Sequence, residues 1–191
     1  MGKFIFGIII GIILVPAVFY LYCVSGHAPV ATSASPMPFE RFFAKTALHA
    51  TISRDAPKTH STKASDAELL AGIDVYRHNC AGCHGLPGKQ PSNAAKGMFP
   101  RPPQLFEPGH MVTDDPVGVT YWKAKHGIRL SGMPGFTGLL TDEQLWNVSL
   151  LLANADRLPP DVKQALTAPP QTPAQPKGKS AAVGKPAPAH K

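Results

Sequence analysis

The stretch "NCAGCHG", residues 79–85, sets two cysteines three positions apart with a histidine directly behind the second. Three chemistries use such a pattern: a redox dithiol, half of a zinc site, and a covalent haem attachment. A thioredoxin-like dithiol draws its reactivity from a thiol at a helix start within a βαβ unit, where its pKa is lowered. Here a helix comes first. Ser65-Asp66-Ala67-Glu68 is a capping-box pattern, and Leu69, Ile73, Tyr76 and Cys80 then fall on one helical face. A structural zinc site takes four ligands, yet the only other cysteine is Cys23, alone in an apolar run far upstream. Haem attachment asks for two thiols placed to add across two vinyl groups, with the next histidine turned to the iron. Cys80, Cys83 and His84 have that spacing.

An electron-carrying haem iron also needs a strong ligand on its other side, and methionine there raises the potential. The candidates downstream are Met98, His110, Met111, His126 and Met133. A single methionine is ordinarily core packing. Met133 stands apart because it sits in Ser131-Gly132-Met133-Pro134-Gly135-Phe136, where small residues admit a flat macrocycle and Pro134 stiffens the loop. Met98 lies in the loop expected to run along the histidine side. His126 reads otherwise as a basic group at a helix C-terminus.

Working outward, residues 4–24 carry no charge, a length suited to a membrane-spanning helix of about 20 apolar residues. Residues 1–26 are therefore read as a transmembrane anchor or uncleaved signal, with Pro16 tolerated inside it. Lys3 is the only charged side chain before the run, so the positive-inside tendency places the remainder outside the cytoplasm. Residues 27–64 read as linker, interrupted by a short amphipathic helix over Phe39–Ile52 that ends before Pro57. The sequence does not decide whether this helix packs on the domain or lies at the membrane surface. Residues 65–158 form the domain proper. Asp115-Pro116 predicts an N-cap followed by proline at the first helical position, opening a helix to about His126. Thr141-Asp142-Glu143-Gln144 predicts a second capping box, and Leu145, Val148 and Leu152 line a last helix ending near Leu158. Residues 159–191, rich in Pro, Ala and Lys, predict a disordered tail.

The net charge of +7 sits in the flanks. Residues 65–158 hold eight basic and nine acidic side chains. A nucleic-acid-binding core would carry the positive charge on its folded surface, so that class is excluded.

The stretch from Ser65 to Leu158 resembles a class I, mitochondrial-type monohaem cytochrome c domain in a membrane-anchored bacterial form. The likeness rests on "AGIDVYRHNCAGCHG", "RPPQL", "GIRLSGMPGF" and "TDEQLWNVSLLL". It implies an all-α fold of three to four helices around one covalent haem c, preceded by one transmembrane helix. By the same resemblance Cys80 and Cys83 form thioethers, while His84 and Met133 are the axial iron ligands. The carbonyl of Pro103 accepts the proximal histidine's other N–H, with Pro100 and Pro102 as adjacent alternatives. Gly72 and Tyr76 pack the first helix against Trp146 and Leu150 of the last. Trp122 is expected to line the haem pocket and Arg129 to pair with a propionate. The function expected is one-electron transfer between redox proteins at the bacterial cytoplasmic membrane, with the domain in the periplasm, no small-molecule substrate and no catalysis. The alternatives are a cytochrome subunit of a membrane dehydrogenase or haem-copper oxidase, and a haem-based sensor or peroxidase-like enzyme.

Overall fold

The computed structural model describes residues 1–169. Its regular structure is helical: α1 (Gly2–Val24), α2 (Glu40–Asp55), α3 (Asp66–Asn79), α4 (Ala81–His84), α5 (Asn93–Gly97), α6 (Val117–His126), α7 (Asp142–Ala153) and α8 (Pro160–Thr167). No strand forms among the described residues, only the isolated bridge Thr137–Leu140. The chain is all-α, as expected.

The two capping boxes open the two helices on which the domain is built. Ser65 Oγ accepts from Glu68 N–H at 3.3 Å while Glu68 Oε2 takes the Ser65 N–H at 2.7 Å. Thr141 and Gln144 repeat the exchange at 3.2 and 2.9 Å. Each pair satisfies two of the N–H groups that a helix start leaves without partners.

Helix α3 packs most extensively against α7, and Gly72 is where they meet. A Cβ there would run into the Asn147 carbonyl and lie 3.1 Å from Leu151 Cβ. This corrects the expectation that Gly72 and Tyr76 pack against Trp146 and Leu150. Trp146 and Leu150 each precede a contact residue by one position and so point about 100° away around α7. Tyr76 instead shares a core with Val148, Leu151 and Leu152 and meets Phe106 edge-on at 5.1 Å. Leu150 joins Val117 of α6. Trp146 is sandwiched between Tyr121 at 4.0 Å and His60 at 3.8 Å, both rings nearly parallel to it.

Helix α6 starts one residue later than predicted. Pro116, with extended ψ of 132°, is the cap itself, and Asp115 pairs loosely with Lys123 at 3.7 Å. Helix α7 ends at Ala153 rather than near Leu158, because Asn154 closes it by donating to Leu150 O at 2.8 Å and to Thr62 O at 3.0 Å.

The tail beyond Leu158 does not begin as expected. Residues 160–167 form α8, whose Val162 and Leu166, one turn apart, are each 1% exposed in the α3 core. Arg77 of α3 donates to the carbonyls of Ala165, Leu166 and Ala168 at 2.6, 2.8 and 2.5 Å, capping the end of α8. Two well-spaced apolar residues and one arginine outweigh a Pro/Ala/Lys composition. The rest of the predicted disordered tail, from residue 170, lies outside the described residues.

Helix α1 buries none of its residues and has a mean hydropathy of 2.8 over its most apolar window, long and apolar enough to cross a membrane. Helix α2 covers the predicted short helix, and its C-terminal end docks on the domain. Ile52 and Ala56 are buried, and the Pro57 carbonyl fills the space in front of Gly118 of α6. Residues 57–64 then cross α6 and α7 as a strap, ending with Ala64 against the core.

Gly72→Ala is expected to destabilise the full chain by about 1–3 kcal/mol, because backbone must move to admit the methyl group. Gly97→Ala, with nothing within 4 Å of its Cβ position, is expected to stay within about 0.5 kcal/mol. Urea unfolding followed by circular dichroism checks both.

Candidate functional site

Helix α3 runs into the short α4 through Cys80, which closes the first helix and opens the second. The carbonyls of this turn are clamped one after another. Ser92 Oγ donates to Gly82 O at 2.6 Å, and Gln104 Nε2 to Cys83 O at 3.3 Å. Tyr76 Oη lies 3.2 Å from His84 O and 2.7 Å from Gly85 O. Gly85 takes a φ of 70°, and Gln104 Oε1 occupies the place its Cβ would take. Burial pushes the Tyr76 hydroxyl well above the usual phenol range, with Cys80 adding to the effect, so it stays a neutral donor. Sequence reasoning gave Tyr76 a packing role and missed Ser92 and Gln104. The signal for Tyr76 was its position one turn before Cys80; Gln104 stands in the quoted RPPQL stretch without a role read for it, and Ser92 carries no comparable local pattern.

Cys80 and Cys83 are both unbonded and half-buried. Burial, reinforced by Cys83, pushes the Cys80 thiol up to about 11. A dithiol oxidoreductase lowers its attacking thiol instead, so the burial of Cys80 argues against that reading. The half-buried His84 imidazole is held below its ordinary pKa by desolvation, opposed by a hydrogen bond to Pro103 O. Nδ1 lies 2.8 Å from that carbonyl. A carbonyl only accepts, so Nδ1 carries the proton and Nε2 keeps its lone pair for a metal. Of the three neighbouring prolines, Pro103 is the one positioned to fix the ring.

The Met133 loop is built from the end of α6. Ile128 N donates to Met133 O at 3.1 Å, Phe136 N to Ala124 O at 3.1 Å, and Thr137 N to Lys125 O at 3.1 Å. The loop therefore folds back onto its own helix. Gly127, at φ 68°, has Gly135 N 2.5 Å from its Cβ position. The Cβ position of Gly135 lies 2.7 Å from His126 C and O. Only glycine fits either place. Ser131 Oγ accepts from Met133 N–H at 3.2 Å, and the half-buried Met133 sits within this pinned frame.

Met98 is not confined to the histidine side. Its Sδ lies 2.9 Å from the Cβ position of Gly132, beside Met133. The segment leaves Gly82 at Ser92, reaches Gly132 at Met98 and returns to His84 at Pro103, long enough to touch both sides. Met111 is half-buried, and His110 and His126 are exposed. Trp122 is half-buried with its ring 5.0 Å from that of His126. Arg129 is exposed. Among the described residues neither Trp122 nor Arg129 makes a side-chain hydrogen bond to the attachment turn. The structure thus brings the Pro103 carbonyl against the clamped turn that carries Cys80, Cys83 and His84, and carries Met133 on a separate, pinned loop. Two thiols in no disulfide, beside an imidazole whose Nδ1 is held by Pro103 O, are a donor set that fits a covalent haem.

Residues 67–150 match the family described as "Cytochrome C oxidase, cbb3-type, subunit III". No curated protein and no solved structure matches the chain. The family match, with the helical fold, supports a class I monohaem cytochrome c domain across this stretch. Such a domain binds haem c covalently with its iron, and its function is electron transfer.

Tyr76→Phe removes the donor from two carbonyls of the attachment turn. It is expected to cost about 1–3 kcal/mol, the range for leaving buried polar groups without a partner. Reversible denaturation of the variant beside the wild type checks it.

Proposed function

We propose that the protein is a membrane-tethered electron carrier with Cys80 and Cys83 as the thioether positions and His84 and Met133 as the axial pair. The observation that carries this reading is the 2.8 Å contact of His84 Nδ1 with Pro103 O, which leaves Nε2 as the free ligand atom on the turn that presents both thiols. When bound, the haem iron supplies one-electron cycling between Fe(II) and Fe(III). The chain does the rest. Pro103 holds the imidazole ring and raises its basicity. The glycine-pinned loop presents the Met133 thioether, which favours a raised potential. Trp122 lines the pocket, and exposed Arg129 serves a propionate. With His84 and Met133 both serving as ligands, the iron would keep no open position for a substrate, and the haem would supply electron transfer rather than catalysis. Helix α1 spans the cytoplasmic membrane with Lys3 inside and the cytochrome domain in the periplasm, near its redox donor and acceptor. The tether raises effective concentration against membrane partners.

Met133→Ala in the purified, haem-loaded full chain is expected to abolish the weak near-infrared band of iron–methionine ligation. The reduced variant should then bind carbon monoxide, which the wild type does not. Persistence of the band would move the ligand elsewhere. Rapid carbon monoxide binding by the wild type would favour the sensor or peroxidase-like alternative.

The family match favours a second reading, in which the domain serves as the cytochrome subunit of a haem-copper oxidase or other membrane complex. Tagged full chain solubilised in mild detergent separates the two. A lone monomer is expected for the carrier, whereas stoichiometric co-elution of a catalytic subunit supports the complex.

A further inference from the structure

Helix α2 is apolar on two sides. Leu48 and Ile52 face the domain. At 100° per residue the opposite side carries Phe43, Ala47 and Ala50, with Phe42 and Thr46 beside them, and Phe39 stands just ahead of the helix as its N-cap. Phe39, Phe42 and Phe43 are 72%, 62% and 65% exposed. The outward side of a surface helix is normally polar or charged, but this one meets no charge before Arg54. The nearby charges are directed elsewhere. Arg41 lies over the Phe99 ring at 5.4 Å, and Glu40 accepts the Met37 N–H at 2.8 Å. Phe39 also holds a φ of 64°, uncommon for a bulky side chain. Such strain persists where something over-determines it, and the exposed ring has little packing within the chain to do so.

The position of this face along the chain indicates what covers it. Helix α1 ends at Val24, and fourteen residues separate it from Phe39. Fully extended, that link reaches about 50 Å, and internal turns shorten it. Ala34 N–H bonds Ala31 O at 3.0 Å, and Glu40 N–H bonds Met37 O at 3.1 Å. The aromatic face thus stays near the bilayer that α1 crosses. Its phenylalanines, small residues and single hydroxyl offer little for a protein partner to hydrogen-bond.

We propose that the Phe39–Phe42–Phe43 face of α2 lies on the lipid surface of the membrane that α1 spans, and so fixes the orientation of the cytochrome domain. The proposal rests on the reading of α1 as a membrane span. Ile52, Ala56 and Pro57 lock α2 to α6, whose far end carries the Met133 loop. A seated α2 therefore sets which side of the domain faces the membrane and which faces outward.

The test uses haem-loaded full chain with Cys23→Ser, in lipid nanodiscs of phosphatidylcholine and phosphatidylglycerol. Nitroxide labels are placed singly by Ile13→Cys, Phe43→Cys and Lys45→Cys. Collisions with dissolved oxygen report lipid, and collisions with a water-soluble nickel chelate report water. The label at 43 is expected to follow the one at 13, with oxygen dominant, while the label at 45 shows the reverse. A water-like label at 43 beside a lipid-like label at 13 overturns the proposal and leaves the anchor standing. Protection of 43 from both agents, or spin–spin broadening there, assigns the face to a protein or a second copy and also overturns it. A water-like label at 13 removes the anchor reading, and the proposal with it.

Discussion

The contact of α3 with α7 at Gly72 is the constraint on which the rest of the domain depends. With no side chain at that position, the Asn147 carbonyl and Leu151 come against the α3 backbone. This spacing sets the rotation of both helices. On α3 it turns Tyr76 inward, with its hydroxyl against the carbonyls that follow the second cysteine. On α7 it sends Leu151 and Val148 to one side and Trp146 and Leu150 to the other, so that one helix serves two core clusters. The attachment turn is therefore an extension of a helix already fixed by packing.

Around that frame the site is assembled mainly from backbone groups. Carbonyls of the attachment turn are held by Ser92, Gln104 and Tyr76, and one carbonyl from the proline run fixes the histidine. The Met133 loop is held by backbone hydrogen bonds returning to the end of α6, with two glycines allowing the approach. A frame of this kind presents side chains at set positions by fixing the backbone that carries them. It suits a function in which the protein must change little between two oxidation states.

Much of this was legible in the sequence because it is written locally. Ser65 with Glu68 and Thr141 with Gln144 announce their helices within four residues, and the attachment motif is contiguous. The glycines around Met133 signal a close approach, and the one that forms is to Met98 and to the end of α6. What escaped is written at long range. Gly72 was recognised as a packing position, but its partner depends on the rotation of α7, so Trp146 was placed on the wrong side. Helix α8 was hidden because Val162 and Leu166 are few in a run of prolines and alanines, and their partner Arg77 lies more than eighty residues away. Gln104 stands in the quoted RPPQL stretch, but its amide matters only once Gly85 has turned. The excursion of Met98 to Gly132 depends on the path of a loop whose composition permits many.

The strap of residues 57–64 has a mechanical consequence. It leaves α2 at Pro57, stacks His60 on Trp146, and accepts a hydrogen bond from Asn154 before α3 begins. A pull on the N-terminal side of the chain meets these contacts first. The load passes sideways into α6 and α7 as shear across stacked rings and packed backbone, and little of it reaches Ser65 as peeling. The helix that carries the attachment turn is thus shielded from tension on the N-terminal segment.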